Sequence, residues 1–326
     1  MTETPASRPG PPYGPHHPDH PAPTRRGVHD RLMQLEAAHD NGFRPERTLR
    51  VRVEFIRQLR RRRTQLTALV LLVLPVVIAL AFKLSSDTGS AGGTSQGGSG
   101  RPGAPALVNL ATTGATNFAL FTEFAAAGFL LVVIVALFCG DTVASEASWS
   151  SLRYLLAIPV PRPRLLRQKL IVALSLSFGV NLLLPAWAYL VGGVFFGWAP
   201  GQSPLGGTFT TGAALQRLLI VVCYASGQSL LVAALAFLLS VLTDAPLGAV
   251  GGATMLVVVS NILDSITSLD PYRRFLPTHF QYSWLDALGP TIVWDDMMRG
   301  TGLVLVYSAA FFALAWWRFQ EKDILS

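Results

Sequence analysis

From Thr64 to Phe82 the chain reads TQLTALVLLVLPVVIALAF, without one charged residue, and between Lys169 and Arg217 no charge occurs at all. Runs of this kind leave few folds open. A hydrocarbon core about 30 Å thick is crossed by about 20 helical residues. Within it each backbone N–H and C=O must be paired inside the segment, which a helix achieves and an open strand does not. Segments at approximately 64–84, 117–140, 169–195, 213–242, 246–264 and 301–319 are long and apolar enough. They predict an all-α integral membrane protein with six transmembrane helices, the first kinked at Pro75. Charged residues make up 14% of the chain, against about 25% in soluble domains, which excludes a soluble globular enzyme. Cys139 and Cys223 both fall in apolar runs and are expected as small buried hydrophobes.

Charge is distributed unevenly. Residues 1–63 hold 13 Arg against 7 acids, and the rest of the chain is nearly neutral. With the N-terminus inside the cell, the inner segments 1–63, 141–169, 243–245 and 318–326 carry 20 of the 26 basic residues. That asymmetry predicts a multi-pass protein of the plasma membrane with both termini cytoplasmic. The arginines Arg57, Arg60, Arg61, Arg62 and Arg63 abut the first span and are expected to meet lipid headgroups. No aromatics interleave with them to stack bases, so nucleic acid is not an expected partner.

Three regions follow. Residues 1–40 are expected as a disordered Pro/His-rich cytoplasmic tail with no secretory signal, its His16, His17 and His20 solvated rather than metal-bound. Residues 41–63 are expected as an interfacial amphipathic helix, with Leu49, Val53 and Ile56 along one stripe. Residues 64–326 form the six-span domain. Within it, 85–106 reads as a flexible Gly/Ser tether outside the cell. The aromatic-rich segment 269–300 predicts one or two short helices at the outer headgroup level. Asp264, Asp295 and Asp296 are expected as solvated surface charges, and His279 is given no role.

The loop between spans two and three, 141–168, is the most informative. Asp141 and Glu146 precede Arg153, Arg162, Arg164, Arg167 and Lys169, and Leu152, Leu155 and Leu156 lie at helical spacing. Pro159, Pro161 and Pro163 end any helix there and turn the chain back toward the bilayer. A short amphipathic helix clamped by prolines is a lever by which a partner could move two spans together.

At these residues the chain resembles the permease subunits of ABC-2 type transporters. Their loop carries an acid, a small residue, a Leu-rich turn, then Pro, a basic residue and Lys. Glu146, Ser150, Leu152, Leu155, Pro159, Arg162 and Lys169 follow that order, with Trp149–Ser150 where many members carry Gly-Thr. The likeness runs from about residue 45 to the C-terminal RFQEKDILS. It implies two permease copies, identical or paired with a homologue, and separate ATPase subunits that bind ATP and Mg²⁺. It also implies coupling to those ATPases through Asp141, Glu146, Ser150, Leu152, Arg153, Leu155, Pro159 and Arg162. The chain itself needs no cofactor: it has no G-x-x-x-x-G-K-[ST] to cradle phosphates, and it is not expected to be an enzyme.

Polar residues inside spans mark candidate pathways. Glu123 is expected near the outer end of span two, lining a mouth or snorkelling to water. Asn181, and Ser226, Gln228 and Ser229, lie nearer mid-membrane, as pathway contacts or interhelical hydrogen bonds. Gly248 and Gly252 give span five a face suited to close helix contact, and the resemblance implies a dimer interface there. The expected function is export of a hydrophobic or amphipathic substrate. The alternative is an ATP-independent channel or secondary transporter, although residues 64–195 and 213–319 show no internal repeat.

Overall fold

A computed structural model describes residues 51–87, 104–148, 162–204 and 206–321, without the side chains of 86–87, 104–105, 146–148 and 162–165. The expected 1–40 tail, most of the 85–106 tether and the centre of the 141–168 loop lie outside these residues. Among the described residues there are helices and no strands. In order they are α1 (Val51–Leu59), α2 (Arg62–Asp87), α3 (Ala104–Leu110), α4 (Ala115–Ala127) and α5 (Leu130–Ser148). After them come α6 (Arg162–Phe196), α7 (Thr211–Leu242), α8 (Pro246–Asp264) and α9 (Asp295–Glu321). Three short 3₁₀ turns, Thr267–Leu269, Tyr272–Phe275 and Ser283–Leu288, join α8 to α9.

Local chemistry sets the ends of these helices. Gly197 takes φ +84°, a left-handed conformation that stops α6, and its carbonyl accepts the Ala115 N–H at 3.0 Å, where α4 begins. Thr210 caps α7 by accepting the Ala213 N–H through its side chain, and Pro246 fits the first turn of α8. Pro75 lies inside α2, and the Trp187 indole of α6 donates to the neighbouring Leu72 carbonyl at 2.9 Å. Five helices, α2, α6, α7, α8 and α9, are each long and apolar enough to cross a membrane. The centre of the bundle is α7, which packs on α5, α6, α8 and α9.

Three expectations change. The second span is not one helix: α4 and α5 meet at a 58° bend and count as a sixth span only together. The Ala127 carbonyl at the bend accepts from Gln281 Nε2 at 2.8 Å, so a side chain from a distant segment takes the place of a helical N–H. The segment between α8 and α9 does not lie flat on a surface, because Trp284, Ala287 and Leu288 are buried in the bundle. Of the 41–63 stretch expected as one interfacial helix, the described part is broken: α1 ends at Leu59 in a turn in which the Arg61 N–H bonds the Gln58 carbonyl, after which α2 starts afresh. Cys139 is buried as expected, whereas Cys223 faces outward from α7.

Candidate functional site

The intramembrane polar residues singled out from the sequence converge. Glu123 of α4, Asn181 of α6, and Gln228 and Ser229 of α7 line one cavity, closed by Gln281 and Trp284 from the segment after α8. Asn181 spends its amide N–H groups on the Ser177 carbonyl (2.8 Å) and on Ser229 Oγ (3.2 Å), tying α6 to α7. One turn later Pro185 offers no N–H to the Asn181 carbonyl. Glu123 is fully buried, so it does not snorkel to water. Both its carboxyl oxygens, together with Gln281 Oε1 and Trp284 Nε1, have no hydrogen-bond partner. The free space is about 40 Å³, room for roughly three or four waters at ~10–15 Å³ each.

The segment that closes the cavity is tied down along its length. Arg217 of α7 donates to the carbonyls of Ala287 (3.1 Å), Gly289 and Pro290 (3.2 Å), and its guanidinium stacks 3.8 Å over the Phe209 ring. Tyr224 Oη donates to the Phe280 carbonyl at 2.7 Å, Tyr307 Oη to that of Phe275 at 2.9 Å, and Ser203 Oγ to that of Leu288 at 2.6 Å. Ser260 and Thr278 share a hydrogen bond at 2.8 Å. His279 pairs through Nδ1 with Asp264, which gives both a structural partner the sequence did not suggest. Asp286 lies on this segment beside Asp296; although the residue is exposed, partial desolvation of its carboxyl, and then that second acid, raise it above the ordinary 3.8.

A second polar cluster lies at the other end of α5. Asp141 accepts from Arg63 Nη1 at 2.5 Å and from Arg61 Nη1 at 3.2 Å, joining the α1–α2 corner to α5. Two of the five arginines expected at the headgroups therefore also hold a protein carboxylate. Asp141 is the first residue of the 141–168 loop expected to meet an ATPase, and residues 141–148 of that loop are the end of α5. Ser150, Leu152, Arg153, Leu155 and Pro159 lie outside the described residues, and of Glu146 and Arg162 only the helical backbone is described. Gly248 is exposed on α8, and Gly252 is half-buried against Leu239 of α7.

The fold and these two clusters define the class: a helical protein with several membrane-crossing helices, a polar cavity inside the bundle and a charged latch at one end of it. Residues 107–325 match the family model described as "Protein of unknown function (DUF2705)", and the chain belongs to that family. The match takes in α4 to α9 and every residue that lines the cavity. No curated protein matches the chain.

Proposed function

We propose that the chain is the membrane-spanning permease subunit of an ABC-2 type, ATP-driven transporter of the plasma membrane. In this reading it exports a hydrophobic or amphipathic substrate, works as a homo- or heterodimer, and is coupled through the 141–168 loop to separate ATPase subunits that bind ATP and Mg²⁺. The observation that supports it best is the Asp141 latch. It binds α1 and the start of α2 to the root of the loop, so a push on either moves both. Switching by rigid elements about a bistable interface needs such a joint. Both termini are then cytoplasmic, and the segment between α8 and α9 faces outward.

The test is copurification of the full-length protein from its native membrane in mild detergent. A bound protein with a phosphate-binding G-x-x-x-x-G-K-[ST] loop, and substrate-stimulated ATP hydrolysis, are the expected outcome. Replacing Glu146 by Ala together with Leu152 and Leu155 should abolish that stimulation while the chain stays inserted. Recovery of no such ATPase, or undiminished stimulation in the triple variant, refutes the reading. One observation favours the alternative, an ATP-independent channel or secondary transporter: the 58° bend next to Glu123, since broken spans with ionisable residues mark ion-coupled carriers. Flux through liposomes holding this chain alone, without ATP, would decide for it.

A further inference from the structure

We propose that the Glu123 cavity binds one monovalent cation of about the size of Na⁺. The Glu123 carboxylate supplies the charge, and the side-chain carbonyls of Gln281 and Asn181 supply neutral oxygens. The inference stands whether or not an ATPase drives the chain. It starts from Glu123, whose side chain is fully buried and whose two oxygens have no donor. None of the residues lining the cavity is Lys, Arg or His. A carboxyl so placed either holds a proton or is accompanied by a cation, because burying an unpaired charge is costly; the unpartnered neutral oxygens around it are what favour the cation.

The surroundings suit a cation. The cavity is lined by Ala127, the last residue of α4. A helix C-terminus carries partial negative charge, and half-helix C-terminal ends coordinate cations in broken membrane helices. The first turn of α5, which lines the cavity through Leu131 and Val132, carries the opposite partial charge, so the attraction rests on the carboxylate and the amide oxygens. Gln281 uses its Nε2 on the Ala127 carbonyl, which leaves its buried Oε1 as the atom without a partner. Asn181 likewise commits its Nδ2 to Ser177 and Ser229, so Oδ1 is its remaining polar atom. Trp284 keeps an unpaired N–H for a water carried in with the ion.

Size and charge narrow the ligand. A space of about 40 Å³ holds an ion with one or two waters and is far below what an organic substrate needs. A single carboxylate balances a single charge, and among the described residues no group of three or more His, Cys, Asp or Glu is placed to hold a metal ion. Divalent Ca²⁺ takes 6–8 oxygens, commonly from several carboxylates.

The experiment uses the full-length protein in detergent and ²²Na⁺ in choline chloride buffer, read by scintillation proximity at pH 7 and pH 9. Saturable binding of about one ion per chain, displaced by unlabelled NaCl, is expected. Glu123→Gln, which keeps the shape of the side chain, should weaken it at least tenfold. NaCl in place of choline chloride at equal ionic strength should raise the melting temperature of the wild-type protein and not of the variant. Absence of saturable binding by the wild-type protein overturns the proposal even if the variant fails to fold. So does a melting temperature that responds to pH and not to Na⁺, since a proton alone would then fill the site. Stronger displacement by Ca²⁺ than by Na⁺ at equal concentration overturns the monovalent assignment.

Discussion

Replacing Asp141 by Asn removes the charge of the latch and keeps its shape. The two arginines are unequal partners. Arg63 makes the shorter contact, 2.5 Å against 3.2 Å for Arg61, but its side chain is 59% exposed, against 27% for Arg61 and 11% for Asp141. A hydrogen bond to a charged group contributes about 1.5–3 kcal/mol, whereas well-exposed ion pairs contribute about 0.2–1 kcal/mol. Exposure should outrank distance here. The Arg61–Asp141 coupling is expected at ~1.5–2 kcal/mol and the Arg63–Asp141 coupling below ~1 kcal/mol. Lys169 also attracts Asp141, but it is present in every arm of the comparison and cancels. The assay is a pair of double-mutant cycles, Asp141→Asn with Arg61→Gln and with Arg63→Gln, on reversible unfolding in mixed micelles. An Arg63 coupling equal to or larger than that of Arg61 refutes the reasoning.

Two further outcomes follow from packing and charge on the segment after α8. A Cβ on Gly300 of α9 would lie 2.5 Å from both Phe280 Cβ and Tyr224 Oη, whereas one on Gly302 meets nothing within 4 Å. Gly300→Ala should therefore cost about 1–3 kcal/mol and lower the melting temperature, while Gly302→Ala on the same helix should not; equal effects would contradict this. The carboxyl of the exposed Asp286 is raised above its ordinary 3.8 in the folded chain, first through partial desolvation and then through Asp296, so the effect expected is small. Its ionised form therefore weakens the fold: stability is fully present below 3.8 and is lost as pH rises through the raised value. Asp286→Asn should raise the melting temperature at pH 7, with the gain disappearing as pH falls toward 4; a gain constant with pH would count against it.

Much of the bundle is legible in the sequence because membrane length and helix ends leave local marks. Pro246 and Asp264 bound α8 at the expected 246–264, and Thr210 places the start of α7 within two residues of the expected position. The bend between α4 and α5 leaves no such mark. Ala127, Gly128 and Phe129 continue an apolar run, and the amide that bonds the carbonyl at the break belongs to Gln281, 154 residues further on. Trp284 and Trp294 look alike as candidates for a headgroup belt, yet one is buried and the other half exposed. What separates them is where α7 places Arg217, whose three carbonyl contacts draw the Trp284 turn into the bundle. Glu123, Asn181 and Gln228 were recognisable as polar residues in apolar spans. That they share one cavity depends on how α4, α6 and α7 pack. The latch is hidden for the same reason, its partners lying 78 and 80 residues apart.

The two polar clusters are joined by one helix. Near its start α5 lines the cavity through Leu131 and Val132, and about three turns later it carries Asp141. A straight helix between them would pass a displacement of the loop root directly to the cavity, but α5 is altered near its far end. The Thr142 hydroxyl donates to the Cys139 carbonyl, and the backbone N–H groups of Val143 and Ala144 donate to Ser240 Oγ of α7. Gly140, at the same turn, lies against Val250 of α8, where a Cβ would come within 3.0 Å of a side-chain atom. The loop root is therefore connected to the cavity along α5 and, through Ser240, along α7, which also lines it with Gln228 and Ser229. In the proposed transporter, α5 and α7 would then move as a pair. A loop driven by an ATPase would shift both walls together, and the Glu123 cavity would change its access rather than collapse.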